Sequence, residues 1–254
     1  MVFAITREVG DALASCEISF IERTPIDIEL ARRQHAAYRD VLRTLGCSVI
    51  ELPALPGMPD AVFVEDVAIV LDEIAVMTRP GAASRRAEGD SVARMLERHR
   101  LLRRIEAPGT LDGGDVLRIG RKLFVGQAAR SNADGIAQLR ECVDEFGYSV
   151  QPVATHGCLH LKSAVTQVGE GTVLVNPQWI DVSIFAGQRV IEIHPEEEHA
   201  ANALRIGSRV IHPLCFPRTR QRLVDAGIDV LPVDVSELQK AEGAVTCCSV
   251  VFDA

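Results

Sequence analysis

The chain has 254 residues, 47% of them apolar and 24% charged, with 35 acidic against 27 basic side chains and a formal net charge of -8. This composition belongs to a globular protein that can bury a sizeable core without disulfides or metals, and the acidic balance excludes the clustered Lys and Arg that nucleic acid or an anionic membrane would need. No apolar run reaches the ~20 residues of a membrane span, residues 1–8 do not read as a secretory signal, and seven irregularly spaced cysteines point to a reducing compartment, so the expectation is one cytoplasmic domain over residues 1–254.

The chain opens on a strand at 2–5, a helix from 27 to about 45 and a strand at 48–52. A second group follows, with β-rich runs at 62–64, 68–70 and 74–77, a helix over 84–99 and a strand near 104–106. A third begins with period-2 alternation at 115–119, turns at Gly120-Arg121 into 122–125, and continues into a helix capped by Ser131 or Asn132. Ile136, Leu139, Cys142, Val143 and Phe146 share one face of that helix, Gly147 stops it, and 149–153 is the closing strand. The fourth group has strands at 163–166 and 172–175, a helical piece at 179–185 and a strand at 190–193. The next has strands at 201–206 and 209–211, a helix over 217–226 and a strand at 229–233, before a last strand at 248–252. Joined, the two ends make a fifth copy. Five units of ~50 residues closed through the first and last strands suggest a ring of α/β blades. An ordinary α/β domain of loosely similar units fits the same pattern.

Cys247 lies beside Cys248 and just before an apolar strand, after the flexible stretch Glu242-Gly243-Ala244-Val245-Thr246. A buried free cysteine is usually inert packing, and Cys16, Cys47, Cys142 and Cys215 are read so. A catalytic cysteine needs a base. His160, entering a strand in Leu159-His160-Leu161-Lys162-Ser163, offers an imidazole able to take and return a proton near pH 7. The run Leu111-Asp112-Gly113-Gly114-Asp115-Val116 sets two carboxylates around a glycine pair, either to orient the histidine across a close backbone approach or as an Asp-Gly hairpin turn. In the strand-like run 59–68, Glu65 and Asp66 should face opposite sides, so at least one carboxylate enters the interior and needs a cation, either a bound guanidinium or an internal Arg. Arg85 and Arg130 each stand where a helix begins, and Arg suits bidentate carboxylate recognition.

In this order and spacing the segments Phe63-Val64-Glu65-Asp66-Val67-Ala68, Thr78-Arg79-Pro80-Gly81 with Arg85, Leu111 to Val116, Leu159 to Ser163, and Thr246-Cys247-Cys248-Ser249-Val250 resemble the dimethylarginine dimethylaminohydrolase family, from about residue 27 to 252. The resemblance implies a five-bladed α/β propeller of ββαβ units with pseudo-fivefold symmetry, closed through its terminal strands. It implies hydrolysis of Nω-methylated arginine to citrulline and a methylamine. By the same resemblance Cys247 is the nucleophile, His160 the general acid and base, and Asp112 the acid that holds the histidine. Glu65 and Asp66 contact the guanidinium, with Asp66 the main anchor. Arg85 and Arg130 bind the α-carboxylate, Asp60 with the backbone near Ile18 and Ala241 receives the α-amino group, and Phe63 belongs to the substrate site.

Relatives acting on unsubstituted arginine or agmatine carry an aspartate two residues after the histidine, where this chain has Lys162; that difference favours a methylated substrate with fewer N–H donors. A non-enzymatic binding protein of the same fold, like the ribosome anti-association factor, would lack the Cys, His and carboxylate set. The chemistry implies no metal or organic cofactor. His156, Cys158, His160 and Cys247 are metal-ligand types, and incidental zinc at Cys247 and His160 would inhibit. The partner is a small guanidino substrate, with no nucleic acid or membrane, acting on a monomer or homodimer. Cys248, one residue into the strand, should point away and be dispensable, and the loop over 9–25 is the segment most able to close over the site.

Overall fold

The computed structural model describes residues 1–254. Its fifteen strands form five three-stranded sheets. The first contains β1 (Val2–Arg7), followed by helix α1 (Ile28–Thr44) and β2 (Ser48–Leu52). The second has β3 (Ala68–Val70), β4 (Ile74–Met77), helix α2 (Asp90–Leu96) and β5 (Leu101–Arg104). The third has β6 (Val116–Ile119), β7 (Lys122–Gln127), helix α3 (Ala133–Asp144) and β8 (Ser149–Ala154). A short helix α4 (Leu161–Ala164) leads to β9 (Val165–Gly169), β10 (Thr172–Val175) and, after a 3₁₀ turn at Val182–Phe185, β11 (Arg189–Glu192). The fifth sheet has β12 (Leu204–Ile206), β13 (Arg209–Pro213), helix α5 (Pro217–Asp225) and β14 (Asp229–Val233). Helix α6 (Ser236–Gln239) precedes β15 (Val250–Asp253), which returns to the first sheet.

Each sheet has one pattern: an antiparallel first strand, a middle strand, and a parallel third strand reached through a helical crossover. In the first sheet the antiparallel place is taken by β15, with Val2 opposite Asp253 and Ile5 opposite Val250. The ring is therefore closed by pairing the first strand with the last, and the five units expected from the sequence are present.

The middle strands explain why the ring holds. Neighbouring side chains on a strand point to opposite faces, so each middle strand serves two apolar clusters at once. Ala4 of β1 enters the cluster shared with β13, and Ile5 enters the one shared with β4. Leu123 and Val125 of β7 face one cluster and Phe124 the next; Val173 and Val175 of β10 face one and Leu174 the next. Five clusters thus occupy the five junctions, and strands buried on both faces read as the continuous apolar runs seen in the sequence. The inner strands β3, β6, β9, β12 and β15 line a central cavity of about 600 Å³ that opens on one side of the ring.

Local expectations hold where turn chemistry decides. Asp27 caps α1 by accepting from the Leu30 N–H, and Asn132 caps α3 by accepting from Gly135. Gly147, at φ 72°, ends the α3 turn. Five expectations fail where tertiary bonds decide. Residues 62–66 are not a strand: Val64–Val67 is a 3₁₀ turn, because the Glu65 N–H bonds to the Cys247 carbonyl at 3.2 Å and the Gly113 backbone abuts Glu65. The helix over 84–99 shrinks to Asp90–Leu96, with one separate turn at Ala83–Arg85, since the Arg85 guanidinium is pulled inward by buried acceptors. The strand near 104–106 lies earlier, at Leu101–Arg104, in register with β4. His160 enters a helical turn rather than a strand, and β15 starts at Val250, so Cys248 lies in the turn before it. Cys248 fills wholly buried core space in the same apolar cluster as Cys247, with its thiol 3.3 Å from the Ala244 carbonyl.

Leu174, wholly buried where the β9–β11 and β12–β14 sheets meet, is the sharpest test of this packing. Leu174→Ala should lower stability by about 2–5 kcal/mol, read as a lower urea midpoint with an unchanged slope.

Candidate active site

A narrow cleft of about 20 Å³ gathers Asp60, Phe63, Asp66, Arg85, Arg130, His160, Ala241 and Cys247, together with Glu17, Leu159, Glu242 and Gly243. They come from distant parts of the chain, and the ring brings their connections to one mouth. Of the residues singled out in the sequence, Asp112 stands directly behind His160, while Glu65 and Ile18 lie outside the lining.

His160 is nearly buried between two carboxylates. Its Nε2 is 3.0 Å from Asp112 Oδ2 and its Nδ1 is 3.7 Å from Asp66 Oδ1. Burial alone would disfavour the charged ring, but Asp66, Asp112 and Asp115 outweigh it and bring the pKa up to about 9. The imidazole is therefore protonated at pH 7. Asp112 is fixed in turn: its Oδ1 accepts the Gly81 N–H at 2.8 Å and its own N–H donates to Ser131 Oγ at 3.1 Å.

The glycine pair has the close-approach role and is not a hairpin turn; residues 113–115 form a 3₁₀ turn without positive φ. A Cβ on Gly113 would stand 2.0 Å from the Glu65 carbonyl oxygen, and one on Gly114 2.5 Å from His160 Nδ1. The bare backbone also lets the Gly114 N–H donate to Asp66 Oδ1 at 3.0 Å.

Glu65 and Asp66 diverge, as foreseen, though from a turn and not a strand. Asp66 faces the cleft. Burial opposes its ionisation, yet His160 and Arg85 prevail and hold its pKa at about 2. Glu65 faces the opposite, central cavity, where Lys162 Nζ meets one oxygen at 2.5 Å and Thr246 Oγ1 donates to the other at 2.8 Å. Both of its oxygens are thus engaged by Lys162 and Thr246.

Arg85 is almost wholly buried. Its Nη1 donates to Asp66 at 2.6 Å, Nε to Glu88, and Nη2 to Glu88 and to the carbonyls of Asp60 and Phe63. Of its five N–H groups only one, on Nη1, is left for a ligand. Arg130 is freer, partly exposed at the mouth with a single 3.4 Å bond to Ser19 Oγ. Asp60 accepts the Glu17 N–H at 3.2 Å, and burial raises its pKa. Ile18, beside Glu17, packs its side chain on an apolar cluster. Phe63 closes the wall so tightly that a Cβ on Gly243 would fall 2.1 Å from its ring.

Cys247 lies at the floor, only 9% exposed. Burial, then the charges of Glu65 and Asp66, push its thiol up to about 12. The metal-type set read from the sequence is not assembled: His156 is exposed, and Cys158 is packed in an apolar cluster with its thiol toward the His160 carbonyl. The metal-capable group that does converge is Asp66, Asp112 and His160.

Glu88 and Glu242 were not legible as site residues. Glu88 was hidden in a misread helix, while Glu242 sits at φ 58° before Gly243. The Glu242 carboxylate accepts the backbone N–H groups of Ser19, Phe20 and Ile21 at 2.9, 2.5 and 3.0 Å. It fastens the 9–25 loop to the rim of the cleft. Glu242→Ala should therefore speed tryptic cleavage at the exposed Arg23 about tenfold, followed by mass spectrometry, because three bonds to a charged group are lost. The raised thiol pKa gives a second test: iodoacetamide labelling of Cys247 in the free protein should rise about tenfold per pH unit from pH 7 to 10, in step with the thiolate fraction.

Comparison with known proteins agrees with this geometry. A family model described as N,N dimethylarginine dimethylhydrolase, eukaryotic, matches residues 19–252. The N(G),N(G)-dimethylarginine dimethylaminohydrolase of Streptomyces coelicolor is 40% identical over 249 residues, 97% of this chain and 95% of that protein. The Pseudomonas aeruginosa enzyme, solved as a Cys-to-Ser variant with citrulline, superposes with a TM-score of 0.95 at 34% identity, covering 98% of each chain. A dimethylarginine dimethylaminohydrolase His-to-Gly variant, solved as an adduct with S-methyl-L-thiocitrulline, gives the same TM-score and identity over 99% of this chain and 100% of that one. With the family model spanning nearly all of the sequence, the chain belongs to the dimethylarginine dimethylaminohydrolase family.

Proposed function

We infer that the protein hydrolyses Nω-methylated arginine, as asymmetric dimethylarginine or monomethylarginine, to citrulline and a methylamine. The observation that carries this reading is the convergence on one narrow cleft of Cys247, Asp66 and a His160 braced 3.0 Å from Asp112. Arg85 and His160 in that cleft are already paired with carboxylates, so a guanidinium held by Asp66 adds a cation beside the thiol and lowers its pKa.

The thiol proton leaves to solvent and the thiolate attacks the guanidino carbon. The C–N bond to the methylated nitrogen breaks as His160 gives that nitrogen its proton, so the amine departs neutral and a thiouronium remains on Cys247. His160, now neutral, takes a proton from water, whose oxygen adds to the same carbon. The C–S bond then breaks as the new hydroxyl gives its proton to solvent, returning the thiolate and releasing citrulline. Asp112 keeps the ring oriented and favours its charged form.

Asp60 and the carbonyls near Ile18 and Ala241 receive the α-amino group, with Phe63 as the neighbouring wall. Arg130, with the one spare N–H of Arg85, takes the α-carboxylate. Lys162 neutralises Glu65, which leaves Asp66 as the guanidinium anchor and suits a methylated group with fewer N–H donors. Seven free cysteines suit a cytoplasmic site of action. The protein acts as a monomer or homodimer on a small molecule and has no nucleic-acid partner. No helix is long and apolar enough to cross a membrane.

Purified protein incubated with asymmetric dimethylarginine, monomethylarginine and arginine, with citrulline as readout, should turn over the methylated substrates faster than arginine. Cys247→Ser should lose at least about 10³-fold in kcat. Faster turnover of arginine, no citrulline from any of the three, or undiminished activity in the Ser variant would overturn the reading.

A further inference from the structure

Asp115 is wholly buried and touches no part of the cleft lining, yet it is joined to both members of the His160–Asp112 pair. Its Oδ1 accepts the N–H of Leu161, the residue after His160, at 3.0 Å. Its Oδ2 accepts the Ser131 hydroxyl at 2.6 Å, and Ser131 Oγ in turn accepts the Asp112 N–H at 3.1 Å. The 3.0 Å contact between His160 and Asp112 closes the circuit. Each group in it is buried, so water cannot substitute for a missing bond.

The surroundings are shaped to seat this carboxylate. A Cβ at Gly126 on β7 would stand 2.5 Å from Asp115 Oδ1, so a middle strand gives up a side chain there. Burial carries the Asp115 pKa up to about 6, against the pull of His160 and of its two hydrogen bonds. A residue costly to bury, with no direct contact to the cleft, needs another account.

We propose that Asp115 is a positioning residue that fixes His160 and Asp112 relative to each other through Leu161 and Ser131. This rests on the reading of His160 as the acid–base group. Without Asp115, the turn that begins at Leu161 loses its anchor and Ser131 loses the acceptor that orients it toward Asp112. The imidazole then drifts from the geometry that proton transfer needs, whereas Asp66, Arg130 and Asp60 still bind substrate.

The test uses full-length wild type, Asp115→Ala, Asp115→Asn and Ser131→Ala, with fold checked by circular dichroism and melting. Asparagine can keep both links, its Oδ1 accepting from Leu161 and its Nδ2 donating to Ser131. Asp115→Ala should lose about 30-fold or more in kcat with KM within about twofold, as for an interaction needed only in the transition state. Asp115→Asn should stay within about fivefold of wild type, and Ser131→Ala, which cuts only the Asp112 link, should fall between them. The ¹H–¹⁵N resonance of the His160 ring, assigned by its absence in His160→Gln, should move in Asp115→Ala and Ser131→Ala and be largely restored in Asp115→Asn. Unchanged kcat in folded Asp115→Ala, equal losses in the Ala and Asn variants, or a ring resonance indifferent to Asp115 and Ser131 would overturn the proposal. If Asp115→Ala does not fold, an unmoved ring resonance and kcat in Ser131→Ala overturn it just as well. A wild type inert toward all three guanidines would sink the functional reading instead, and the ring resonance would still decide the positioning claim.

Discussion

A buried carboxylate without a donor costs several kcal/mol, and this protein buries Asp60, Asp66, Glu88, Asp112 and Asp115 around a single cleft. Much of the local architecture answers that demand. Backbone N–H groups of Glu17, Gly81, Gly114 and Leu161 are aimed at them, which requires 3₁₀ turns and bare glycines where a regular strand would have pointed its N–H groups at a sheet neighbour. Arg85 is shared between Asp66 and Glu88, and His160 stands between Asp66 and Asp112. Two buried cations, with Arg130 at the mouth, stand against five buried acids and leave the cleft short of positive charge. An arginine-like ligand brings a guanidinium to the place where that shortage is felt.

The same electrostatics governs the thiol. Cys247 rests in its unreactive form because it is buried and, after that, because acids stand near it. Only an arriving cation reverses the balance, so reactivity and occupancy come together. The carboxylates around His160 bring its pKa up to about 9, which favours a ring that gives a proton over one that takes the thiol's. The Glu65–Lys162 pair lies on the other side of Thr246 from the cleft, facing the central cavity.

The sequence was most legible where one local rule sufficed. Strands at 74–77 and 172–175 lie where the apolar runs placed them because they are buried on both faces, and the half-buried strands at 48–52 and 229–233 lie where their apolar runs placed them too. The five-unit count followed from the same signal. It was least legible where a residue's conformation is set by partners far along the chain. Residues 62–66 look like a strand until the Cys247 carbonyl and the Gly113 backbone are brought against them, and 84–90 looks helical until Asp66 captures Arg85. Of the Asp112–Asp115 pair, nothing local says which acid meets the histidine and which lies one bond removed. That distinction rests on Ser131 and Leu161, 16 and 46 positions away from Asp115.

Closure through β1 and β15 has a consequence in time. A ribosome delivers β1 first among the fifteen strands and β15 last, so β1 waits for its antiparallel neighbour until all the others have been made. Over that interval it has only β2 beside it, and its free edge is open to misplaced pairing. Cys247 arrives three residues ahead of β15, within the segment that completes the circle. A nascent chain, or one clipped before Val250, can display every carboxylate of the cleft and still hold no seated thiol. Capacity for reaction is conferred by the same event that makes the molecule whole, which spares an incomplete chain from carrying a working warhead.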